Sequence, residues 1–394
     1  MLAVFTALAA AGAATGASPG RFVSAPVRFF FPGDQPQDAA GATVTTEAAC
    51  RPMTSLAERA AEVLVVGLPN VTGPSQALIA EILDVGVGGV LITGANVETR
   101  TQVTRLVGDI KARSRHRLVV STDEELGRVS SFGEVIGYTS SARRLAREDT
   151  PDAIRQVART QATALASMGI TVDFAPVVDL DGGPSDSTIG DRSFSVDAAV
   201  ATRYATAYAL GLADGGITAT AKHFPGRAQA IGDDHLGRIT SGATLESLQG
   251  KDLKPFADLI RRGIPVVMVS NVDYAALDAT TPASLSPRTY QLLRSLGFQG
   301  VAITDSVSMG AVNQRWDVAE AAVKAIQAGA DAVLTTDGSF AKDMVHGLVV
   351  AVQKGELSED RLNQAAGRMI ALAGGDPMTF ACQSARVPTL QSQP

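Results

Sequence analysis

Eight short apolar, β-branched runs recur along the chain after residue 50, each preceded by helical patterning. They cover 63–68, 90–93, 118–123, 171–180, 217–224, 265–271, 301–305 and 332–336. Near-continuous apolar runs of this length suit strands buried on both faces, as in a parallel sheet covered by helices. The intervening helices carry end signals. Thr150-Pro151 opens one that runs to about Met168 and closes at Gly169, and Ser286-Pro287 opens another that stops near Gly297. Ser358, followed by Glu359 and Asp360, opens the last, which ends at Gly374-Gly375. Eight strands alternating with helices predict a single α/β domain, a (β/α)8 barrel of TIM type, rather than an open doubly wound sheet.

Composition narrows this picture. The chain has 394 residues, 45% hydrophobic and 19% charged, an ordinary globular balance. A net charge of −6 without a long basic run disfavours a nucleic-acid partner, since phosphate binding needs clustered Lys and Arg. The apolar run 2–14, with small residues near Ala13 and Ala17, reads as a secretory signal over 1–17. The positive start usual for such signals is missing, and a disordered Ala-rich tail is the alternative. The run is too short and Gly-rich for a membrane span, and no other stretch reaches the roughly 20 apolar residues that one needs. Residues 18–49 read as a low-complexity arm, 50–382 as the folded domain and 383–394 as a C-terminal tail. The signal implies a secreted or envelope-associated protein; without it the protein would be cytoplasmic. Cys50 and Cys382 flank the folded region, and in an exported protein such a pair suggests a disulfide joining the ends of the domain. Two free thiols are the alternative.

In a barrel of this type, functional residues come from the carboxyl ends of the strands, and polar residues gather there. Run three ends at Asp123. Run four leads into a loop with Asp191 and Arg192. Run five ends in Lys222-His223 and continues to Asp233-Asp234-His235, run six ends at Asn271, and run seven ends at Asp305. Taken singly, each has a bland reading. Asp123 and Asp305 could cap the following helices, Arg192 could pair with Asp191, and His223 could be a satisfied buried ring. Five strand ends each supplying a polar group to one rim is not what chance capping predicts. Two histidines beside aspartates could bind a metal, but no ligand spacing of a known site is present. GASPG at 16–20 and VGVGG at 85–89 lack the strand–turn–helix context that nucleophile-elbow and phosphate-loop motifs require.

The motifs then carry a specific resemblance. KHFPG at 222–226 followed by D-x-H at 233–235 is similar to the signature of glycoside hydrolase family 3, in its bacterial β-N-acetylhexosaminidase branch. D-x-E-x-G-R-V at 123–129, DFAPVVD at 173–179, IGDRSF at 189–194, LSP at 285–287 and ITDSVSMGAV at 303–312 fit in order, so that the similarity spans about residues 55–375.

The resemblance implies a single catalytic barrel acting as a retaining exo-β-N-acetylglucosaminidase on muropeptides or related glycosides, probing small saccharides as a monomer with no cofactor and no metal. Asp305 matches the family's nucleophile, His235 its unusual acid/base and Asp233 the aspartate paired with that histidine. Asp123, Arg192, Lys222 and His223 match positions that hold the sugar's hydroxyls and acetamido group. Retaining glycosidases commonly use two carboxyl groups; here an imidazole takes the acid/base role, and a neighbouring aspartate favours its protonated form. A phosphorylase, a family-3 β-glucosidase and a non-catalytic carbohydrate binder are the competing readings. Three departures stand out: Arg227-Ala228 replaces the His-Gly that follows KHFPG, Asp233-Asp234-His235 replaces D-S-H, and DEELGRV replaces D-Q-E-G-G-R-V. Arg227 is expected to add charge on the leaving-group side and to alter aglycone preference, and loss of glycine at 228 to restrict the loop.

Overall fold

The structure, a computed structural model, describes residues 50–227, 230 and 232–393. The expected signal and arm, and the substitution at 228, lie outside the described residues. Eight parallel strands form the barrel: β1 (Leu64–Gly67), β2 (Gly89–Ile92), β3 (Val119–Thr122), β4 (Val172–Asp173), β5 (Thr218–Phe224), β6 (Val266–Val269), β7 (Val301–Thr304) and β8 (Val333–Thr335). They pair in the order β8-β1-β2-β3-β4-β5-β6-β7. A parallel bridge between Ile303 and Ala332 closes β7 onto β8. Each of the eight apolar runs coincides with one strand, β2 starting one residue earlier, at Gly89.

Each strand is followed by a helix: α1 (Ala77–Val85), α2 (Arg100–Arg113), α3 (Pro151–Ser167), α4 (Ala198–Asp214), α5 (Leu253–Arg261), α6 (Pro287–Ser295), α7 (Val318–Ala328) and α8 (Ala341–Gln353). The end signals act locally. Thr150 accepts from Ala153 N at the start of α3, and Gly169 beyond its end takes φ 91°, a left-handed conformation that costs glycine least. Ser286 precedes Pro287 at the start of α6 but makes no side-chain cap. The Ser358 helix, Glu359–Leu372, is not the last. Asp376-Pro377 opens one more, Pro377–Ala381, in which the Asp376 carboxylate accepts from Met378 N.

Alternation along the strands sorts the core into two compartments. Val65, Leu91, Val119, Val266, Met268, Val301, Ile303 and Leu334 pack together inside the barrel with Phe174 and with Met369 of the Glu359–Leu372 helix, and Val387 packs against this cluster. The opposite strand faces pack under the surrounding helices. The barrel is therefore filled, and a ligand can enter only from a rim.

Cys50 and Cys382 form a disulfide across a sequence separation of 332 residues. Beyond it, Gln391 N donates to Arg262 O (2.7 Å) and Arg262 Nη1 donates to Ser392 O (2.6 Å), so the C-terminal segment lies against the end of α5. Closing so long a loop constrains mainly the unfolded chain. Replacing both cysteines with serine is therefore expected to cost about 2–4 kcal/mol. It would be measured as a lowered Tm in non-reducing buffer, with reductant lowering the wild-type Tm and leaving the double variant unchanged.

Candidate active site

The carboxyl ends of the strands surround a pocket of about 550 Å³. Its floor is the top of the barrel core, Leu91, Met268 and Leu334. Its walls include Asp123, Arg192, Lys222, His223, Asp233, His235 and Asp305. All seven residues to which the resemblance assigned a role thus meet in one cavity, although 182 positions separate the first from the last (305 − 123).

On one side the charges alternate. Lys222, 2% exposed, places Nζ 2.6 Å from Asp123 Oδ1 and 2.6 Å from Glu125 Oε1. Arg192 donates two parallel hydrogen bonds to Glu125, Nε to Oε2 and Nη2 to Oε1, each 2.7 Å. Burial would push the Glu125 carboxyl up, but Arg192 and Lys222 outweigh it and hold it well below the usual carboxylate range. Burial likewise acts to lower Lys222, and Asp123 and Glu125 reverse it, so its pKa is raised. Both groups are charged at any working pH, and the network presents fixed donors and acceptors to a polar ligand.

His223 Nδ1 lies 2.6 Å from Asp179 Oδ2, which leaves Nε2 as the ring nitrogen available to the pocket. Neither aspartate at a strand end serves as a helix cap. Asp123 accepts from Lys222, and Asp305 Oδ1 accepts from Ser306 N at 2.7 Å. Asp305, half-buried, has its carboxyl pushed up by burial. His223, the Ser306 N–H and Lys222 pull it back, while Asp234 adds to the upward push.

The third element is the loop after β5. His235 Nδ1 is 2.7 Å from Asp233 Oδ1, and the imidazole is 64% exposed at the mouth of the pocket. Burial tends to raise Asp233, but its hydrogen bonds with His235 and the charges of His235 and Arg227 lower it overall. This loop rests on the segment after β7: Gly310 N donates to His235 O (3.1 Å), Ala311 N to Asp234 O (3.0 Å) and Gln314 Nε2 to Leu236 O (2.9 Å). The carrier of His235 is thereby docked five residues beyond Asp305. A Cβ on Gly310 would meet His235 O at 2.7 Å and the backbone of Leu236 and Gly237 at 2.8 and 2.9 Å. Gly310→Ala is therefore expected to displace the loop. A shift of about 1 Å would lower kcat on a glycoside by roughly 10²-fold, with Tm and affinity for the free sugar near wild type. Unchanged kcat would show that the contact does not hold the imidazole.

The structure corrects several expectations. Asp191 pairs with Arg128 (3.1 Å), not with Arg192. Asn271 is buried and does not line the pocket; its Nδ2 donates to Ser306 O (2.8 Å) and its Oδ1 accepts from Ser284 (2.6 Å), bracing the turn after Asp305. Arg227 is not a free charge on the leaving-group side. It is 7% exposed, with Nη1 2.7 Å from Asp234 Oδ2 and its backbone N donating to Asp179 (3.0 Å). The two departures at 227 and 234 are thus partners across the loop. Glu125 and Asp179 were not chosen from the sequence. Glu125 stood in the D-x-E motif and Asp179 closed DFAPVVD, but nothing local marked either as an ion-pair partner.

Among the described residues, Asp233, Asp234 and His235 are the one group with the composition of a metal site, their ligand atoms lying within 4.8 Å of one another. Asp234 Oδ2 is engaged by Arg227 and Asp233 Oδ1 by the imidazole. Both carboxylates thus already have a cationic or imidazole partner.

A filled (β/α)8 barrel, with an acidic side chain at one strand end and an aspartate–histidine pair docked over the same rim pocket, has the build of an enzyme of the barrel class. Comparison with known proteins identifies it as a glycoside hydrolase. The model for the glycosyl hydrolase family 3 N-terminal domain matches residues 55–372, and the chain belongs to that family. It is similar to a protein named beta-hexosaminidase LpqI from Mycobacterium tuberculosis, 36% identical over 328 residues, 81% of this chain and 83% of that protein. Among solved structures, a family 3 glycosyl hydrolase from Mycobacterium smegmatis superimposes with a TM-score of 0.77 at 40% identity, covering 81% of this chain and 97% of the other. A family 3 beta-N-acetylglucosaminidase from Paenibacillus gives 0.78 at 29% identity, over 86% of this chain and 65% of that one.

Proposed function

We propose that this enzyme is a retaining exo-β-N-acetylglucosaminidase. The observation that carries the reading is that Asp305 and the Asp233–His235 pair line one blind pocket. Asp305 Oδ1 is held by the Ser306 N–H, and Oδ2 attacks the anomeric carbon while His235 gives its proton to the departing glycosidic oxygen. A covalent glycosyl-enzyme results. His235 then removes a proton from water, whose oxygen attacks the same carbon and releases Asp305. Asp123, Lys222, Arg192 and His223 hold the sugar's hydroxyls and acetamido group, with contacts that strengthen as the ring flattens towards the oxocarbenium-like state. The closed floor suits removal of one terminal residue at a time.

The substrates that best fit are cell-wall muropeptides or related fragments. In support, the exposed imidazole leaves the aglycone side open, and a second cavity of about 790 Å³ adjoins the pocket, sharing Asp186, Thr188, Ile189, Arg227 and Asp233 with it. Work outside the cytoplasm is favoured by the disulfide. No helix among the described residues is long and apolar enough to cross a membrane.

The test is release of free N-acetylglucosamine from its β-linked aryl glycoside and from a disaccharide with N-acetylmuramic acid, beside the β-glucoside and with and without phosphate. Preference for the glucoside, or sugar 1-phosphate as the product, would overturn the reading.

A further inference from the structure

Glu124 sits between two members of the sugar-holding network and is itself fully buried. Its backbone N donates to Asp173 Oδ1 (2.9 Å), and its backbone O accepts from the Tyr208 hydroxyl (3.1 Å). Its Oε1 lies 2.5 Å from Ser130 Oγ, and Oε2 accepts from Phe132 N (2.6 Å). Glu125 N donates to Val129 O (2.9 Å) and Ser131 N to Asp123 O (3.3 Å). The segment 123–132 is thus a closed hairpin, clamped through Glu124, that presents Asp123, Glu125 and Arg128 to the pocket.

The titratable groups around Glu124 are acids or phenols. Glu125 lies on its own loop, Asp173 comes from β4, Tyr208 from α4, and Tyr138 from beyond the hairpin. Asp173 Oδ2 is buried with no hydrogen-bond partner among the described residues. No cation among the described residues pairs with Glu124; Lys222 and Arg192 are committed to Asp123 and Glu125. With burial holding the Asp173 carboxyl well above the ordinary range and so neutral, the two negative charges of Asp123 and Glu125 face two positive ones, and an ionised Glu124 would make the count three against two. Burial pushes Glu124 up to about 7 against the hydrogen bonds from Ser130, Phe132 N–H and Ser131 N–H, and the charge of Glu125 adds to the upward push.

We propose that Glu124 is a positioning residue that clamps the sugar-binding hairpin as a neutral acid, and that its ionisation loosens the hold on the glycone of Asp123 and of the Lys222 and Arg192 that Glu125 anchors. In the neutral form Oε1–H donates to Ser130 Oγ while Oε2 accepts from Phe132 N–H. Loss of the proton to solvent leaves an uncompensated carboxylate behind the network. The inference rests on the proposed role of that network in holding the sugar. Because the folded protein raises this carboxyl, it favours the protonated form. Stability is therefore full below the ordinary carboxylate range, falls as pH rises towards about 7 and stays reduced above it.

Glu124→Gln tests this, since the amide can donate to Ser130 and accept from Phe132 without ever ionising. In the wild type, KM for the aryl N-acetylglucosaminide should rise several-fold between about pH 6 and pH 8, and in Glu124→Gln it should stay flat. The variant should melt a few degrees above wild type at pH 8 and level with it at pH 5. The same pH dependence of KM in both proteins, or equal melting at pH 8, would overturn the proposal. Calorimetric binding of free N-acetylglucosamine at these pH values separates it from the functional reading. If neither protein turns over substrate, affinity that weakens with pH in wild type alone still supports the clamp. Affinity that is independent of pH in wild type, or no binding of the sugar at all, overturns it.

Discussion

Asp305→Ala is expected to abolish hydrolysis of an aryl β-N-acetylglucosaminide, with kcat falling by about 10⁴-fold or more. The dissociation constant for free N-acetylglucosamine should change only a few-fold. The separation follows from the division of the pocket: the carboxylate proposed as nucleophile follows β7, whereas Asp123 and Arg192 stand on the segments after β3 and β4 and Lys222 near the end of β5. The same carboxyl dictates the acid limb of the wild-type pH profile. Burial raises it above the ordinary carboxylate value, with only partial relief from His223, Ser306 N–H and Lys222, and only its ionised form attacks. kcat/KM should therefore rise with pH through a limb displaced upward from that of a free aspartate. Hydrolysis that survives in the variant would remove Asp305 from the mechanism. So would equal inertness of wild type and variant while both bind the sugar, which would make the protein a lectin-like relative.

His235→Ala should give the second largest loss, and the size of the loss should depend on the leaving group. For a disaccharide, whose departing oxygen needs a proton, kcat/KM should fall by about 10²–10⁴-fold. For an activated aryl glycoside, the bond-breaking step should suffer far less. Turnover then stalls at the glycosyl-enzyme, because no base remains to activate water. Azide needs no base and the imidazole is open to solvent, so azide should restore aryl glycoside turnover and yield the β-glycosyl azide. An equal loss on both substrates, without azide rescue, would argue that His235 only shapes the loop. The neighbouring buried Arg227–Asp234 pair makes that control necessary. Removing either partner would strand a charge out of water, a cost of about 3–5 kcal/mol, and would move the loop for reasons unrelated to proton transfer.

The residues divide by how far their meaning lies from their own position. Asp123 and Asp305 were legible because each ends an apolar run, where a charge is expensive unless it faces a polar site. Asp233 and His235 were legible because D-x-H follows KHFPG as in the family that the chain resembles, and that resemblance implied their pairing. Glu125, by contrast, takes its partners from residues 67 and 97 positions away (192 − 125 and 222 − 125), and Asp179 takes His223 from 44 away. Arg227 looked like a loose charge beside the site, and only the return of the loop showed its complement in Asp234. Asn271 failed in the opposite sense. It ends an apolar run as the others do, yet is consumed in bracing the turn after Asp305.

Periodicity by itself determined that the chain forms eight buried strands with helices between them. A strand covered on both faces must be apolar along its length, and parallel strands wound in one sense place all their carboxyl ends on one rim. Tertiary structure alone decided which charge meets which across that rim, how the β5 loop docks on Gly310, and that Glu124 is sealed away from water between two neighbours that face the pocket. Ion pairing and desolvation depend on distances in space, and a linear pattern carries no record of distances between segments that meet only when the barrel closes.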